Sequence, residues 1–310
     1  MNYSTYASVK DLIDAVKSPS DWEETMRKHE DDRGKSFGIW YMRSCIKDIV
    51  EGNNGGDTVK LQTAIDATFG DHSYESSLTS EVERNINSSN EYYKEKFKFV
   101  NRQTSGGRVD VQRFLNGDPR CWFAVRKRKA ETRAVRVFAP MGGVWDVTTE
   151  MMRVCGALSC AVAEILESNG ISVELWAACI CNGTIGTCSS GYARLNCPEA
   201  SLCQLVKVKD ASQYCDYGMI NYVTGNSQFY RSVVWADRVL YGVKSLANNK
   251  CFRSYGSSTD FDRSCIPPDE DHDADYDIVV PRIYTIEDAR KWLNEDFNEM
   301  MDNIGEEKND

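Results

Sequence analysis

The chain has 310 residues, 41% of them hydrophobic, with a formal charge of −10 and a pI near 5.0. That length can bury one large core or two modest ones, and the acidic balance argues against wholesale nucleic-acid binding, which leaves a basic footprint. No apolar run approaches the roughly 20 residues needed to span a bilayer. The opening MNYSTYASVKDLIDAVKS lacks the basic and apolar regions of a signal peptide, so a cytoplasmic location is expected.

The first part of the chain is polar and broken by glycine-rich stretches such as EGNNGGD and TSGGR. Within it, SPSDWEETMRKHE predicts a helix capped by Ser20, with Glu23 at the capping-box spacing. SFGIWYMRSCIKDIVEG predicts a second helix that ends at Gly52, and SEVERNINSSNEYYKEKFKFV a third. RVDVQRFLNGDPRCWFAVRKRKA reads as a helical turn ending at Asn116-Gly117, then a strand from Cys121 to Arg126.

From Arg133 the pattern changes. AVRVFAP is a strand, TEMMRVCGALSCAVAEILESNG a long helix closed by Gly170, and ISVELWAACIC a second strand. Strand, helix, glycine, strand is the signature of a parallel crossover. A polar loop of about 20 residues, longer than usual connections, is expected next. SLCQLVKVKD then supplies another strand, and YCDYGMINYVTGNSQFYRSVVWADRVLYG helical material interrupted near Gly225. PPDEDHDADYD reads as a solvated acidic loop, DIVVPRI as a late strand, and TIEDARKWLNEDFNEMMDNI as a helix opened by Thr285, with GEEKND fraying at its end. These elements predict an α/β fold with a mainly parallel central sheet flanked by helices. The chain divides into a polar, helical N-terminal region over 1–107 and an α/β domain over 108–310.

The opening strand, the threonine-bearing entry into the long helix and the ESNGISVEL run resemble a von Willebrand factor A-like domain. The whole chain, RVDVQRFLNGDPRCWF in particular, resembles an uncharacterised group of tailed-bacteriophage proteins. The A-like resemblance implies a sandwich whose metal site is an Asp-x-Ser-x-Ser loop completed by a Thr and an Asp, all hard oxygen ligands. The corresponding turn here is APMGG, which carries neither carboxylate nor hydroxyl, so the motif is degenerate. A displaced site built from Asp146, Thr148 and Asp210 is one reading. The simpler one gives Asp146, Thr148 and Thr149 to the start of the helix, where their oxygens suit N-capping. The phage resemblance implies an accessory or host-takeover role without a defined activity.

Twelve cysteines are many for a cytoplasmic protein, and most are expected to be small buried hydrophobes. Cys181, Cys188, Cys197 and Cys203 could gather around one zinc ion, although the chain has no C-x₂-C pair. The three histidines, His29, His72 and His272, lie in polar or acidic surroundings, and no nucleophile elbow, zinc-protease helix, Walker loop or dinucleotide fingerprint is present.

The one concentrated basic patch is RKRKAETRAVR, Arg126 to Arg136. Arg108, Arg113, Arg126, Lys127 and Arg128 could contact phosphates beside Phe114, Trp122 and Phe123, and a solvated hairpin turn is the plainer reading. The expected function is therefore a non-enzymatic module, without cofactor, that binds a protein partner. A nucleic-acid-associated factor using the 108–136 patch is the alternative. In an open α/β sheet, ligands meet the loops beyond the carboxyl ends of the strands. Here those are Pro140–Thr149, Asn182–Ala200 and Asp210–Tyr217, with Trp145, Asp146, Thr148 and Asp210 as contact residues and Trp145 as the aromatic anchor.

Overall fold

The structure, a computed structural model, describes residues 1–30, 37–53, 58–70, 82, 86, 108–109, 122–123, 134–142, 147–186, 194–213, 215–248, 252–259, 261–267 and 277–306. In chain order the elements begin with β1 (Asn2–Tyr6), α1 (Val9–Val16), α2 (Pro19–Glu30), α3 (Phe37–Glu51) and α4 (Leu61–Thr68). The short strands β2 (Arg108–Val109) and β3 (Trp122–Phe123) form a ladder of their own. There follow β4 (Val135–Pro140), α5 (Thr149–Ser168), β5 (Val173–Gly186), β6 (Arg194–Lys209), α6 (Tyr217–Gly225), α7 (Trp235–Asn248), β7 (Phe252–Thr259), β8 (Ile278–Val279), α8 (Ile286–Asn294) and α9 (Asp296–Glu306).

The main sheet has the order β1-β6-β5-β4-β8, with β7 on the far part of β5. The pairs β1–β6, β4–β5 and β4–β8 are parallel, while β5–β6 and β5–β7 are antiparallel, so the fold is α/β with a mainly parallel sheet. The crossover expected from AVRVFAP to ISVELWAACIC is β4–α5–β5. Thr148 caps α5 by accepting from Met151 N at 3.3 Å, and Gly170, at φ +74°, follows the last turn. A Thr cap of this kind contributes about 1 kcal/mol.

Four expectations about the bounds of elements change. The predicted polar loop after ISVELWAACIC is instead the end of a long antiparallel hairpin: β5 runs to Gly186 and β6 begins at Arg194, with pairs from Gly186↔Arg194 to Leu175↔Lys209. The boundary at 107/108 does not isolate a helical region, because β1 is a strand of the main sheet and pairs Asn2↔Leu202 through Tyr6↔Val206. Pro19, whose ring pre-sets φ for a first helical turn, opens α2, so Ser20 lies inside it. The late helix divides at Glu295 into α8 and α9.

Strand alternation separates two faces of the sheet. One carries Val137, Ala139, Leu175, Ala177, Cys179, Cys181, Leu202 and Val206, and the described α-helices pack there. The other carries Phe138, Ala178, Ile180, Cys203 and Leu205, covered by Phe261, Cys265 and Ile266. Every residue of β4 is buried, as expected of a strand covered on both sides. An A-like sandwich would have α-helices on both faces; the described α-helices occupy one. Where α5 and α6 cross, a Cβ at Gly156 would lie 2.8 Å from Gly225 Cα, so only glycine permits this approach.

Asp277, placed by its sequence in a solvated acidic loop, is fully buried. It accepts from Arg136 Nε and Nη2, both at 2.8 Å, while its carbonyl accepts from Arg263 Nη2 at 2.8 Å. The bidentate pair fixes β8 beside β4. Asp277→Ala should cost about 3–5 kcal/mol, because it strands a buried guanidinium. A loss below about 1 kcal/mol in a urea titration would show that the pair does not hold this edge.

Candidate functional site

The turn from β4 to α5 lies beyond the carboxyl end of β4 and is fastened at both ends. Met141 N donates to Ala178 O at 2.7 Å, which extends the strand pairing by one residue. Gly142 then turns the chain at φ +98°, with its Cα side against the Tyr230 ring; any Cβ would overlap that ring. On the helix side, Arg231 Nη2 donates to Val147 O at 3.0 Å, and the Thr149 and Ser227 hydroxyls meet at 2.8 Å. Trp145 and Asp146 lie outside the described residues.

Tyr230 and Arg231 belong to a wide turn, Tyr230–Val234, whose π-helical winding leads into α7. Such turns often mark sites under special demand. Here the winding lets neighbouring residues face different ways: Arg231 reaches the β4–α5 turn, while Tyr230 packs beneath it.

Behind Tyr230 is a buried polar cluster. Arg238 sits 5.0 Å from the Tyr230 ring centroid and 5.4 Å from that of Trp235. Its Nε donates to Gln204 Oε1 at 2.8 Å and its Nη2 to Cys179 Sγ at 2.9 Å. Gln204 Nε2 donates to Asp237 Oδ2 at 2.5 Å and to Val234 O at 3.2 Å. The other carboxylate oxygen of Asp237 accepts from Tyr6 at 2.5 Å and from Ser4 at 3.2 Å. Cys181 Sγ donates to Gln204 Oε1 at 3.4 Å. Arg238 Nη1 and Trp235 Nε1 are buried and find no acceptor among the described residues.

Burial raises the Asp237 pKa, although hydrogen bonds from Tyr6, Gln204 and Ser4 oppose the shift. Burial also raises Tyr6, reinforced by the Asp237 charge. Burial and the neighbouring Cys179 push the Cys181 thiol well above its ordinary range. Burial pulls the Arg238 guanidinium down, but Cys181, Tyr230 and Cys179 more than offset it, so its charge is firmly held. With Asp237 1% and Arg238 2% exposed, the cluster offers no reacting atom to solvent. Its physical effect is to tie α7, β5, β6 and β1 together and to support Tyr230 from below.

The other expected residues scatter. Asp210 ends β6, which runs antiparallel to β5, so it lies at the amino ends of β4 and β5, far from Thr148. There its Oδ1 accepts from Ser212 N at 3.1 Å and Ser212 Oγ at 2.9 Å; these bonds lower its pKa and close a local turn. A metal site from Asp146, Thr148 and Asp210 is therefore not assembled, and Thr148 spends its oxygen on the helix cap.

The zinc quartet is divided as well, because Cys181 and Cys203 occupy opposite faces of the sheet. Cys188 and the side chain of Cys197 lie outside the described residues, among which no group of three or more His, Cys, Asp or Glu could hold a metal. Of the basic patch, Arg136 is buried on Asp277, and Arg108 stands opposite Phe123 in the β2–β3 ladder. Arg113, Arg126, Lys127 and Arg128 lie outside the described residues.

Sequence reasoning passed over Gln204, Asp237 and Arg238. The available signal was an opposite-charge pair inside an otherwise apolar helix, VVWADRVL, where a solvated face would show more polar residues.

A family model described as a domain of unknown function, DUF7192, matches residues 2–305, and the chain belongs to that family. The match takes in β1 at one end and α9 at the other. No curated protein and no solved structure matches the chain.

Because its native pKa is raised, Asp237 loses its proton in the unfolded chain first as pH rises. Its contribution to stability therefore declines from the ordinary value near 3.8 up to the raised native value. Asp237→Asn removes that ionisation, so the variant should gain on the parent across this window, read from urea midpoints between about pH 4 and 7. A pH-independent difference would show that Asp237 titrates alike in both states.

Proposed function

We propose that the protein is a non-enzymatic interaction module that engages a protein partner through the turn between β4 and α5. The observation that carries this reading is the fastening of that turn by Tyr230, Arg231 and Ser227, beside a first helical turn that exposes Met151 at 36%. A loop whose two ends are already held in place loses less entropy when a partner docks, so more of its contact energy appears as affinity. Met151 beside it supplies exposed apolar area, and Trp145 within it is the aromatic anchor.

The β4–α5–β5 crossover followed by an antiparallel β6 favours an A-like strand order, although the described α-helices cover one face of the sheet and not both. In that reading a capping threonine replaces the metal bridge, and the turn recognises protein surface directly. Asp210, at the other end of the sheet, takes no part. The resemblance to tailed-bacteriophage proteins favours a partner in the cytoplasm of an infected cell, and an accessory or takeover role.

Affinity capture from infected cells, with and without nuclease, tests the reading. A partner that survives nuclease should be lost from Trp145→Ala and from Met151→Asp, with each variant's thermal midpoint within a few degrees of the parent. Nuclease-sensitive recovery would favour the 108–136 patch instead. A large drop in midpoint for Trp145→Ala would make that residue part of the core and remove the anchor.

A further inference from the structure

We infer that β1 is a dimerisation edge, at which a second copy of the chain adds its own β1 antiparallel across a two-fold axis. Among the described residues β1 ends the sheet, and its pairing is with β6 on one side. Along the other side, the backbone groups of Tyr3–Tyr6 that point away from β6 form a ready template for another strand.

Natural edge strands are usually guarded by lysine, proline, a bulge or an inward charge. None of these devices occurs in β1. The stretch from Met1 to Val9 contains no charged side chain in a chain of net charge −10, so two copies can meet there without apposing their acidic groups. Met1 at 49% and Tyr3 at 36% are among the exposed large hydrophobics, and both lie at this edge.

The strand is also held in place. Ser4 and Tyr6 point to the helix-covered face and bind Asp237, while Tyr3 and Thr5 point to the other. The edge is thus presented as a rigid template, which lowers the ordering cost of strand addition.

The sequence is self-complementary in one register. Directly opposed residues of an antiparallel pair share a face, so a two-fold axis must pass through a residue position. Centred on Ser4, it sets Tyr3 against Thr5 of the second copy, twice, on the exposed face. An aromatic opposite a β-branched residue is a favourable cross-strand pair. The contact uses the same patch on both copies and therefore closes as a dimer. Strand-to-strand contact of this length buries less than the roughly 1,200 Å² of a standard interface, so the dimer should be weak and concentration-dependent. The edge lies apart from the β4–α5 turn, so this inference and the partner-binding reading stand or fall separately.

Sedimentation equilibrium of the full chain over a concentration series, with amide exchange, is the test. A monomer–dimer equilibrium is expected, with those Tyr3–Tyr6 amides that point away from β6 gaining protection as concentration rises. Thr5→Lys and Tyr3→Lys should weaken it about tenfold or more while leaving the monomer's melt and Met151-dependent capture unchanged. A chain monomeric at all concentrations, or a dimer indifferent to both lysines, overturns the inference. So would a dimer whose β1 amides stay unprotected.

Discussion

Gln204 is the residue on which the arrangement of the sheet and α7 depends. Asp237 and Arg238 are neighbours in sequence, both buried, and they are joined through the Gln204 amide. A glutamine can serve both because its carbonyl accepts from the guanidinium while its amide donates to the carboxylate. A hydrophobic side chain at this position of β6 would leave each charge short of a partner, at a cost of several kcal/mol for an ion taken out of water. Since Gln204 lies between β1 and β5 in the sheet, satisfying it also fixes which residues of those strands face α7. Ser4, Tyr6, Cys179 and Cys181 do so, each with its polar atom in the cluster.

The elements legible in the sequence were those whose signals are local. α5 carries a cap oxygen at Thr148, an apolar interior and a glycine in the left-handed region at its end, and all three depend only on nearby backbone. The β4–α5–β5 crossover follows from the order of such elements. β1 was missed because its partner is about 200 residues away and NYSTY has too few apolar residues to alternate visibly. The amino-terminal half of β6 was missed for a related reason: RLNCPEAS reads as a polar loop until the pairing with β5 is known. That one hairpin also reversed the position of Asp210, since a strand assumed parallel puts its carboxyl end at the wrong edge of the sheet.

Composition misled at Asp277 in a different way. Within PPDEDHDADYD the local density of carboxylates predicts solvation, and nothing nearby distinguishes the last of them. What distinguishes it is Arg136, whose position on a fully buried strand demands a carboxylate from elsewhere in the chain. Arg136, in turn, extends a basic patch when the sequence is read alone. Each half of a buried ion pair looks like surface when read alone, and only the pairing explains why either can be inside.

Tyr230 joins the two halves of the candidate site. Its ring bears on Gly142 above and on the Arg238 guanidinium below, so the position of the β4–α5 turn is tied to the charge cluster and, through Gln204 and Asp237, to β1. Interiors are close-packed, so a ring held between two neighbours passes on a displacement of either instead of absorbing it. The wide turn at Tyr230–Val234 serves this arrangement, since it lets Arg231 fasten the turn from the side while Tyr230 supports it from beneath. The two ends of the β4–α5 turn and the β1 strand are in this sense held by the same buried network, with the Arg238 guanidinium and the Asp237 carboxylate joined through Gln204 at its centre.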